Sequence, residues 1–199
     1  MHDFFALEKS KNYQKKIYTK LFEKYKGGHR AFHWSSKRAQ YRRFEILLAD
    51  IDRGTLLDIG CGEGDLWNFI VQCEKDISYV GIDIVKASIL SAQRKYKSRA
   101  LFYQSDFLSS SYKREHDYIV MSGLFAFGNE LFFKKMVEKA YEHVNKMVVF
   151  NLFRAKENSD FFSISHTKVI EFLEMFNPKQ IETQCDYLDG DCTYFLIKR

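Results

Sequence analysis

The spacing of apolar residues gives the chain a helical beginning. From Asp3 to Tyr25, apolar residues recur among many lysines as they do in an amphipathic helix, and Gly27-Gly28 follow as a stop signal. A second helix is predicted from Lys37 to Ile51, because its apolar residues share one face. We expect these two helices to form a cap in front of the rest of the chain.

From Thr55 onward, short β-rich runs alternate with helical runs. The predicted elements are, in order, strand 55–59, helix 65–74, strand 78–82, helix 86–96, strand 100–103, strand 117–121, helix 129–143, strand 146–152 and helix 166–176. Such alternation predicts βαβ units and a mainly parallel sheet. Two further β-type runs flank Asp189-Gly190, which is a hairpin signal. The pattern therefore predicts an α/β fold in which an antiparallel hairpin closes a parallel sheet.

A glycine-rich loop follows the first predicted strand, in the sequence LLDIGCGEGDL from Leu56 to Leu66. Glycines at 60, 62 and 64 allow a sharp turn and let backbone N–H groups approach a ligand. A dinucleotide fingerprint would need a further glycine where the chain has Asp65, and Asp58 would repel a diphosphate. The loop therefore favours a small polar ligand with an amino group or a positive charge.

Acidic residues follow the next two predicted strands. The run YVGIDI places Asp83 23 residues after Gly60, near the spacing of about 20 at which nucleotide-binding βαβ units carry a ribose-binding acid. The run FYQSDFL places Asp106 after the third strand, and the fourth strand ends in a Ser122-Gly123 turn. Four polar motifs therefore fall at successive strand ends.

These four motifs, in this order and spacing, resemble those of class I S-adenosylmethionine-dependent methyltransferases, particularly small members that act on metabolites. The resemblance covers about Trp34 to Arg199 and leaves the first helix outside it. It implies a Rossmann-like three-layer sandwich with a mostly parallel seven-stranded sheet, an antiparallel C-terminal hairpin and an N-terminal helical cap. Residues 1–52 would form the cap, and residues 53–199 the cofactor-binding domain. The implied cofactor is S-adenosyl-L-methionine, with S-adenosyl-L-homocysteine as the product.

The resemblance also implies a role for each acid. Asp58 would bind the amino end of the methionine moiety, and the backbone of the glycine loop would approach the same end. Asp83 would accept hydrogen bonds from both ribose hydroxyls, and Asp106 would accept one from the adenine amino group. Main-chain groups around Ser122 would lie near the sulfonium. No catalytic residue is assigned, because methyl transfer from a sulfonium mainly requires alignment and exclusion of water.

The segment before the first strand is similar to the N-terminal stretch of some small methyltransferases. There, Trp34 and Arg43 would frame the methionine end, with Arg43 binding its carboxylate. Ile84 and Phe107 would lie against the adenine ring, and Cys61 would serve as a small spacer. The implied cofactor-binding set is Trp34, Arg43, Asp58, Gly60, Cys61, Gly62, Asp83, Ile84, Asp106, Phe107 and Ser122.

Apolar runs and cysteine spacing indicate where in the cell the protein is expected. No apolar run approaches the roughly 20 residues of a membrane span, and the first residues lack the features of a signal peptide, so we expect a cytoplasmic protein without a membrane partner. The four cysteines, at positions 61, 73, 185 and 192, show neither C-x-x-C nor His/Cys metal spacing. The spacing therefore predicts reduced thiols, with neither a metal nor a disulfide framework.

Charge and missing motifs bear on the methyl acceptor. Residues 1–50 carry 12 Lys and Arg against 5 Asp and Glu, which is either a solvated helix face or a site for an anionic partner such as RNA. The fourth strand lacks the Asn/Asp-Pro-Pro-aromatic motif typical of base N-methylation. We expect a small acceptor, anionic or neutral, methylated at O, N or C. An RNA methyltransferase gripping phosphates with lysines 11, 15, 16 and 20 is the alternative, and a non-catalytic cofactor-binding protein is a third.

Overall fold

The computed structural model describes residues 2–32, 35–109, 112–153 and 161–199, and its described strands form one sheet. The strands are β1 Arg53–Ile59, β2 Asp76–Asp83, β3 Leu101–Gln104, β4 His116–Met121, β5 Val144–Phe153, β6 Gln180–Cys185 and β7 Asp191–Ile197. Their order across the sheet is β3-β2-β1-β4-β5-β7-β6. Neighbours from β3 to β5 are parallel, whereas β7 is antiparallel to both β5 and β6. The predicted fold, a mostly parallel seven-stranded sheet closed by an antiparallel hairpin, is confirmed.

Helices cover both faces of this sheet. They are α1 His2–Tyr25, α2 Lys37–Leu47, α3 Asp65–Gln72, α4 Lys86–Tyr96, α5 Glu130–His143 and α6 His166–Glu174, with short 3₁₀ turns at His29–Phe32 and Lys97–Arg99. The core beneath α5 and α6 is separate from the core beneath α2, α3 and α4. Within β5, Val148 faces the first core and Val149 the second, as expected for strands buried on both sides. The result is a three-layer sandwich.

Helix α1 lies across the edge of the sheet. It contacts α4, which covers one face of the sheet, and α5, which covers the other. It also packs on the 3₁₀ turn that follows it. It ends where Lys26, Gly27 and Gly28 all adopt positive φ, so the predicted glycine stop signal lies at the observed end. None of the described helices is long and apolar enough to cross a membrane.

The second predicted helix is shorter than its apolar pattern. It begins at Lys37, where the Ser36 hydroxyl accepts a hydrogen bond from Ala39 N at 3.1 Å, and it ends at Leu47 rather than Ile51. The pattern continued past the helix because Leu48 and Ile51, in the turn that follows, are also fully buried. Apolar spacing reports burial, and here the turn is buried as well as the helix.

The prediction that all four cysteines are free thiols is wrong for one pair. Cys185 on β6 and Cys192 on β7 form a disulfide, whereas Cys61 and Cys73 are free. The two bonded residues lie directly opposite each other in the antiparallel pairing. Their proximity arises from strand register, which a search for closely spaced cysteine motifs does not detect.

Candidate active site

The glycine loop turns sharply between β1 and α3. Gly60 and Gly62 have φ values of 79° and 54°, a region that side chains disfavour. A Cβ at Gly60 would lie 2.9 Å from a Leu124 carbon, and one at Gly62 would lie 2.8 Å from the Phe32 ring. Gly60 N donates to Ile82 O at 2.8 Å, which anchors the loop to β2. Both glycines are therefore required by conformation and by close packing.

Asp83 lies at the end of β2, beside this loop. Its Oδ2 accepts a hydrogen bond from Gly62 N at 2.9 Å, and its Oδ1 accepts one from Val85 N at 2.8 Å. Burial raises the pKa of the Asp83 carboxyl, while the backbone donors at Val85 and Gly62 act in the opposite direction. The carboxylate is therefore held in a fixed orientation next to the glycine loop.

Asp58 lies deeper, just before the loop, and is only 3% exposed. Tyr79 donates its hydroxyl hydrogen to Asp58 Oδ2 over 2.6 Å. Burial raises the pKa of Asp58 to about 7; the Tyr79 hydrogen bond opposes this, and the charges of Asp83 and Asp65 add to it. A cation bound beside Asp58 would stabilise its ionised form, so the site suits a positively charged group.

Asp106, after β3, is bound by a residue of α1. Lys11 Nζ lies 2.6 Å from Asp106 Oδ2 and 2.5 Å from Glu8 Oε1, and Leu108 N donates to Asp106 Oδ1 over 3.0 Å. Partial burial lowers the pKa of Lys11, but its hydrogen bonds to Asp106 and Glu8 outweigh this and raise it. Lys11 thus attaches helix α1 to Asp106, the residue predicted to bind the adenine amino group.

Lys11, Gln14 and Tyr18 occupy one face of α1 and line the same pocket as the strand-end acids. Gln14 is only 3% exposed, and its side-chain nitrogen has no hydrogen-bond partner among the described residues. Tyr18 donates weakly to Gly123 O over 3.5 Å, and burial raises the pKa of its hydroxyl, helped by the charge of Asp83. These three pocket positions were not predicted from the sequence, although polar residues at 11, 14 and 18 interrupt the buried face of α1.

The Ser122-Gly123 turn after β4 is held from the opposite side. Gly123 N donates to Asn151 Oδ1 over 2.8 Å, and Asn151 Nδ2 lies 3.4 Å from Asp191 Oδ1. Asp191 is fully buried and forms an ion pair with Arg43 of α2. Arg43 therefore faces the start of β7 and does not line the pocket.

Most of the predicted cofactor-binding residues share one cavity of about 1010 Å³, which includes space open to solvent. The predicted residues that line it are Asp58, Gly60, Cys61, Gly62, Asp83, Ile84, Asp106, Phe107 and Ser122. Trp34 lies outside the described residues. The roles assigned to all of these side chains stay predictions.

Burial raises the pKa of the Cys61 thiol, which disfavours a reactive thiolate there.

The charges of the cavity favour a cationic ligand. Its lining contains one lysine and five acids, namely Asp58, Glu63, Asp65, Asp83 and Asp106. The site lies at the carboxyl ends of β1, β2 and β4, where open α/β sheets bind ligands. The fold and the position of the site are those expected of the class that the sequence resembles, the class I, Rossmann-like methyltransferases that use S-adenosylmethionine as methyl donor.

Comparison with known proteins supports the same assignment. A family model described as "Methyltransferase domain" matches residues 56–147, from within β1 into β5. The matched part of the chain is therefore a methyltransferase domain, a kind of domain that uses S-adenosylmethionine as its methyl donor. No curated protein sequence matches the chain.

Solved structures share the fold at low sequence identity. The complex of DhpI with S-adenosylhomocysteine has a TM-score of 0.71 at 16% identity and covers 98% of both chains. N-methyltransferase NodS from Bradyrhizobium japonicum, also with S-adenosylhomocysteine, has a TM-score of 0.69 at 15% identity and covers 92% of this chain and 98% of its own. Magnesium protoporphyrin IX methyltransferase from Synechocystis PCC 6803 has a TM-score of 0.67 at 11% identity over 100% of both chains.

Proposed function

We propose that this chain transfers a methyl group from S-adenosylmethionine to a small-molecule acceptor held between α1 and the turn after β4. One observation carries the proposal. The glycine loop and the acidic strand ends share their cavity with Lys11, Gln14 and Tyr18 of α1, so the predicted donor site lies directly beneath a helix. In this proposal, residues 1–52 act as the cap over a cofactor-binding domain formed by residues 53–199.

The donor would occupy the acidic side of the cavity. Asp58 would hold its amino group, the backbone of the glycine loop would approach the same end, and Asp83 would bind the ribose hydroxyls. Asp106 would accept a hydrogen bond from the adenine amino group after Lys11 moves away. The bound donor supplies a methyl group already activated on a sulfonium.

The residues around the acceptor would bind it, align it and exclude water. Gln14 offers an unpaired amide N–H, and Ser122 a hydroxyl with no hydrogen-bond partner in the described chain. A tyrosine hydroxyl is protonated at neutral pH, and burial raises the pKa of Tyr18 further, so Tyr18 would donate a hydrogen bond and would not act as a base. The nucleophile would displace the sulfide in line, and its proton would pass to solvent.

The same lining favours a neutral acceptor over an anionic one. An anion would face a cavity in which five acids outnumber the single lysine. Apolar residues beside the turn, including Leu124, Phe132 and Met136, would contact an apolar part of the acceptor. One structurally similar enzyme, magnesium protoporphyrin IX methyltransferase, is named for a small molecule, which supports a small-molecule acceptor but not the choice between a neutral and an anionic one.

The proposal is tested by binding and by transfer. We expect calorimetry to show binding of S-adenosylhomocysteine to the wild-type protein, and Asp83→Ala to weaken it at least tenfold. Asp76→Ala, at the exposed start of the same strand, is the matched control and should bind normally. Labelled methyl groups should then enter a small-molecule fraction of a cell extract. Binding without transfer to any fraction would instead support a non-catalytic cofactor-binding protein.

RNA is a second candidate acceptor because of the outer face of α1. Lys15, Lys16 and Lys20 are exposed there, whereas Lys11 points into the cavity and is not available to phosphates. An RNA methyltransferase should bind RNA with an affinity that falls steeply as salt rises. Replacing Lys15, Lys16 and Lys20 with glutamine should abolish that binding, and an unchanged affinity would exclude this candidate.

A further inference from the structure

A second group of chemically reactive side chains lies outside the active site. His166 at the start of α6, Cys185 on β6 and Cys192 on β7 place one possible ligand atom each within 4.8 Å of one another. None of the three lines the cofactor cavity. The group therefore joins a helix to the C-terminal hairpin at a place that methyl transfer does not use.

We propose that these three residues form a redox-controlled zinc site, which binds Zn²⁺ when the two cysteines are reduced and is abolished when they form the disulfide. Two thiolates and one imidazole are the donor set that Zn²⁺ prefers, and a water molecule can complete the tetrahedron. At Zn–S distances of about 2.3 Å, tetrahedral ligands lie about 3.8 Å apart, which is within the spread of this group.

The imidazole is held in place before a metal arrives. His166 Nδ1 lies 3.1 Å from the Tyr194 hydroxyl, and the two rings stack with their centroids 5.6 Å apart. Contacts of this kind orient the histidine ligands of metal sites and limit the entropy lost on binding. His166 is solvent-exposed and Cys185 is half-buried, so a metal ion can enter from outside, while Cys192 closes the inner side.

The two states exclude each other chemically. A dithiol reductant reduces the Cys185–Cys192 bond to two thiols and is itself oxidised to a disulfide. Zn²⁺ then replaces the two thiol protons, which pass to solvent. In the cytoplasm, where we expect this protein, thiols are kept reduced and disulfides are mostly transient or redox-sensing. The metal-binding form would therefore predominate there, and oxidation would release the ion.

Binding of cobalt(II) tests the proposal, because this ion can bind at zinc sites in place of Zn²⁺ and its bonds to thiolate absorb in the near-ultraviolet. We expect the reduced wild-type protein to bind one equivalent with that band, and Zn²⁺ to displace it. The band should be lost in Cys185→Ser and in protein oxidised to the disulfide. In His166→Ala, the affinity for cobalt(II) should fall at least tenfold. Cys73→Ser, which removes an exposed free thiol, is the matched control and should behave like the wild type.

Thermal unfolding gives a second readout that does not depend on colour. Zn²⁺ should raise the midpoint temperature of unfolding of the reduced wild type and of reduced Cys73→Ser. It should leave the midpoint temperature of the oxidised protein unchanged. The proposal is overturned if the reduced wild type shows neither the band nor a zinc-dependent midpoint, or if either survives in Cys185→Ser. Circular dichroism establishes that each variant is folded. Because no cofactor is used, the outcome is independent of the methyltransferase activity.

Discussion

At the scale of single residues, Asp58 links cofactor binding to pH. Burial raises its pKa to about 7, so near neutral pH a proton must leave before the carboxylate can pair with a cationic amino group. We predict that the affinity for S-adenosylhomocysteine rises with pH between about 5.5 and 7, by up to about tenfold per unit. Calorimetry in buffers of different ionisation enthalpy measures both the affinity and the released proton.

Asp58→Asn is the control for this pH dependence. The amide has nearly the same shape but does not titrate, so the variant should bind more weakly at pH 7 and with little change between pH 5.5 and 7. An equally steep pH dependence in the variant would show that another group is responsible. Asp83 is the first alternative to test, because burial raises its pKa as well.

Lys11 competes with the adenine amino group in the proposed binding mode. It donates to Asp106 Oδ2 at 2.6 Å, and this carboxylate is the one that the cofactor would use. We predict that Lys11→Met raises the affinity for S-adenosylhomocysteine by about two- to fivefold, because a partly exposed ion pair of this kind contributes up to about 1 kcal/mol. The measurement is calorimetry at constant pH and salt.

The matched control removes a charge from the same helix without touching the pocket. Lys15 is exposed on α1, so Lys15→Met should leave the affinity unchanged. A weaker affinity in Lys11→Met would contradict the competition and would indicate that Lys11 contacts the bound cofactor directly.

At the scale of secondary-structure elements, the N-terminal caps of α5 and α6 differ in geometry. Asn129 Oδ1 accepts from Phe132 N over 2.8 Å, whereas Ser165 Oγ accepts from Lys168 N over 3.4 Å. We predict that Asn129→Ala lowers the free energy of unfolding by about 1 kcal/mol and Ser165→Ala by less. Urea unfolding of both variants measures the difference, and equal losses would contradict the geometric argument.

The elements themselves were largely predictable from sequence, and the reasons are local. Buried parallel strands such as β1 and β5 are short apolar runs, and the glycine loop has its own conformational signature. The strand-end acids Asp58, Asp83 and Asp106 were identified because topology brings successive parallel strand ends to one edge of the sheet. For these features, the place of a residue along the chain nearly determines where it lies in the fold.

What could not be predicted depends on the packing of distant segments. Lys11 meets Asp106 only because α1 crosses the sheet edge, a contact over 95 residues of sequence. Arg43 of α2 meets Asp191 at the start of β7, a contact between segments that are distant in sequence. Cys185 meets Cys192 through the register of β6 and β7. Tertiary placement therefore decides the partners of these side chains.

At the scale of the whole molecule, buried carboxyl groups make the folded state sensitive to pH. Burial raises the pKa values of Asp58, Asp83 and Asp191. Between the unfolded pKa of about 3.9 and the raised folded value, the native state binds more protons than the unfolded state, so stability falls as pH rises. His116 acts in the opposite direction below about pH 6.5, because burial lowers its pKa. The wild-type profile alone is therefore a sum of opposing contributions.

Comparison with Asp58→Asn isolates one contribution, because His116 and the other acids are common to both proteins. The folded pKa of Asp58 is about 7, so its contribution to stability is complete below about pH 4 and is lost as pH rises to about 7. We predict that the free energy of unfolding of the wild type, minus that of the variant, declines between about pH 5 and 7 by up to about 1.4 kcal/mol per unit and is constant above about pH 8. Urea unfolding at several pH values across this range measures the difference. A difference independent of pH would mean that Asp58 is ionised throughout, and the pH-dependent cofactor affinity predicted above would then have to vanish with it.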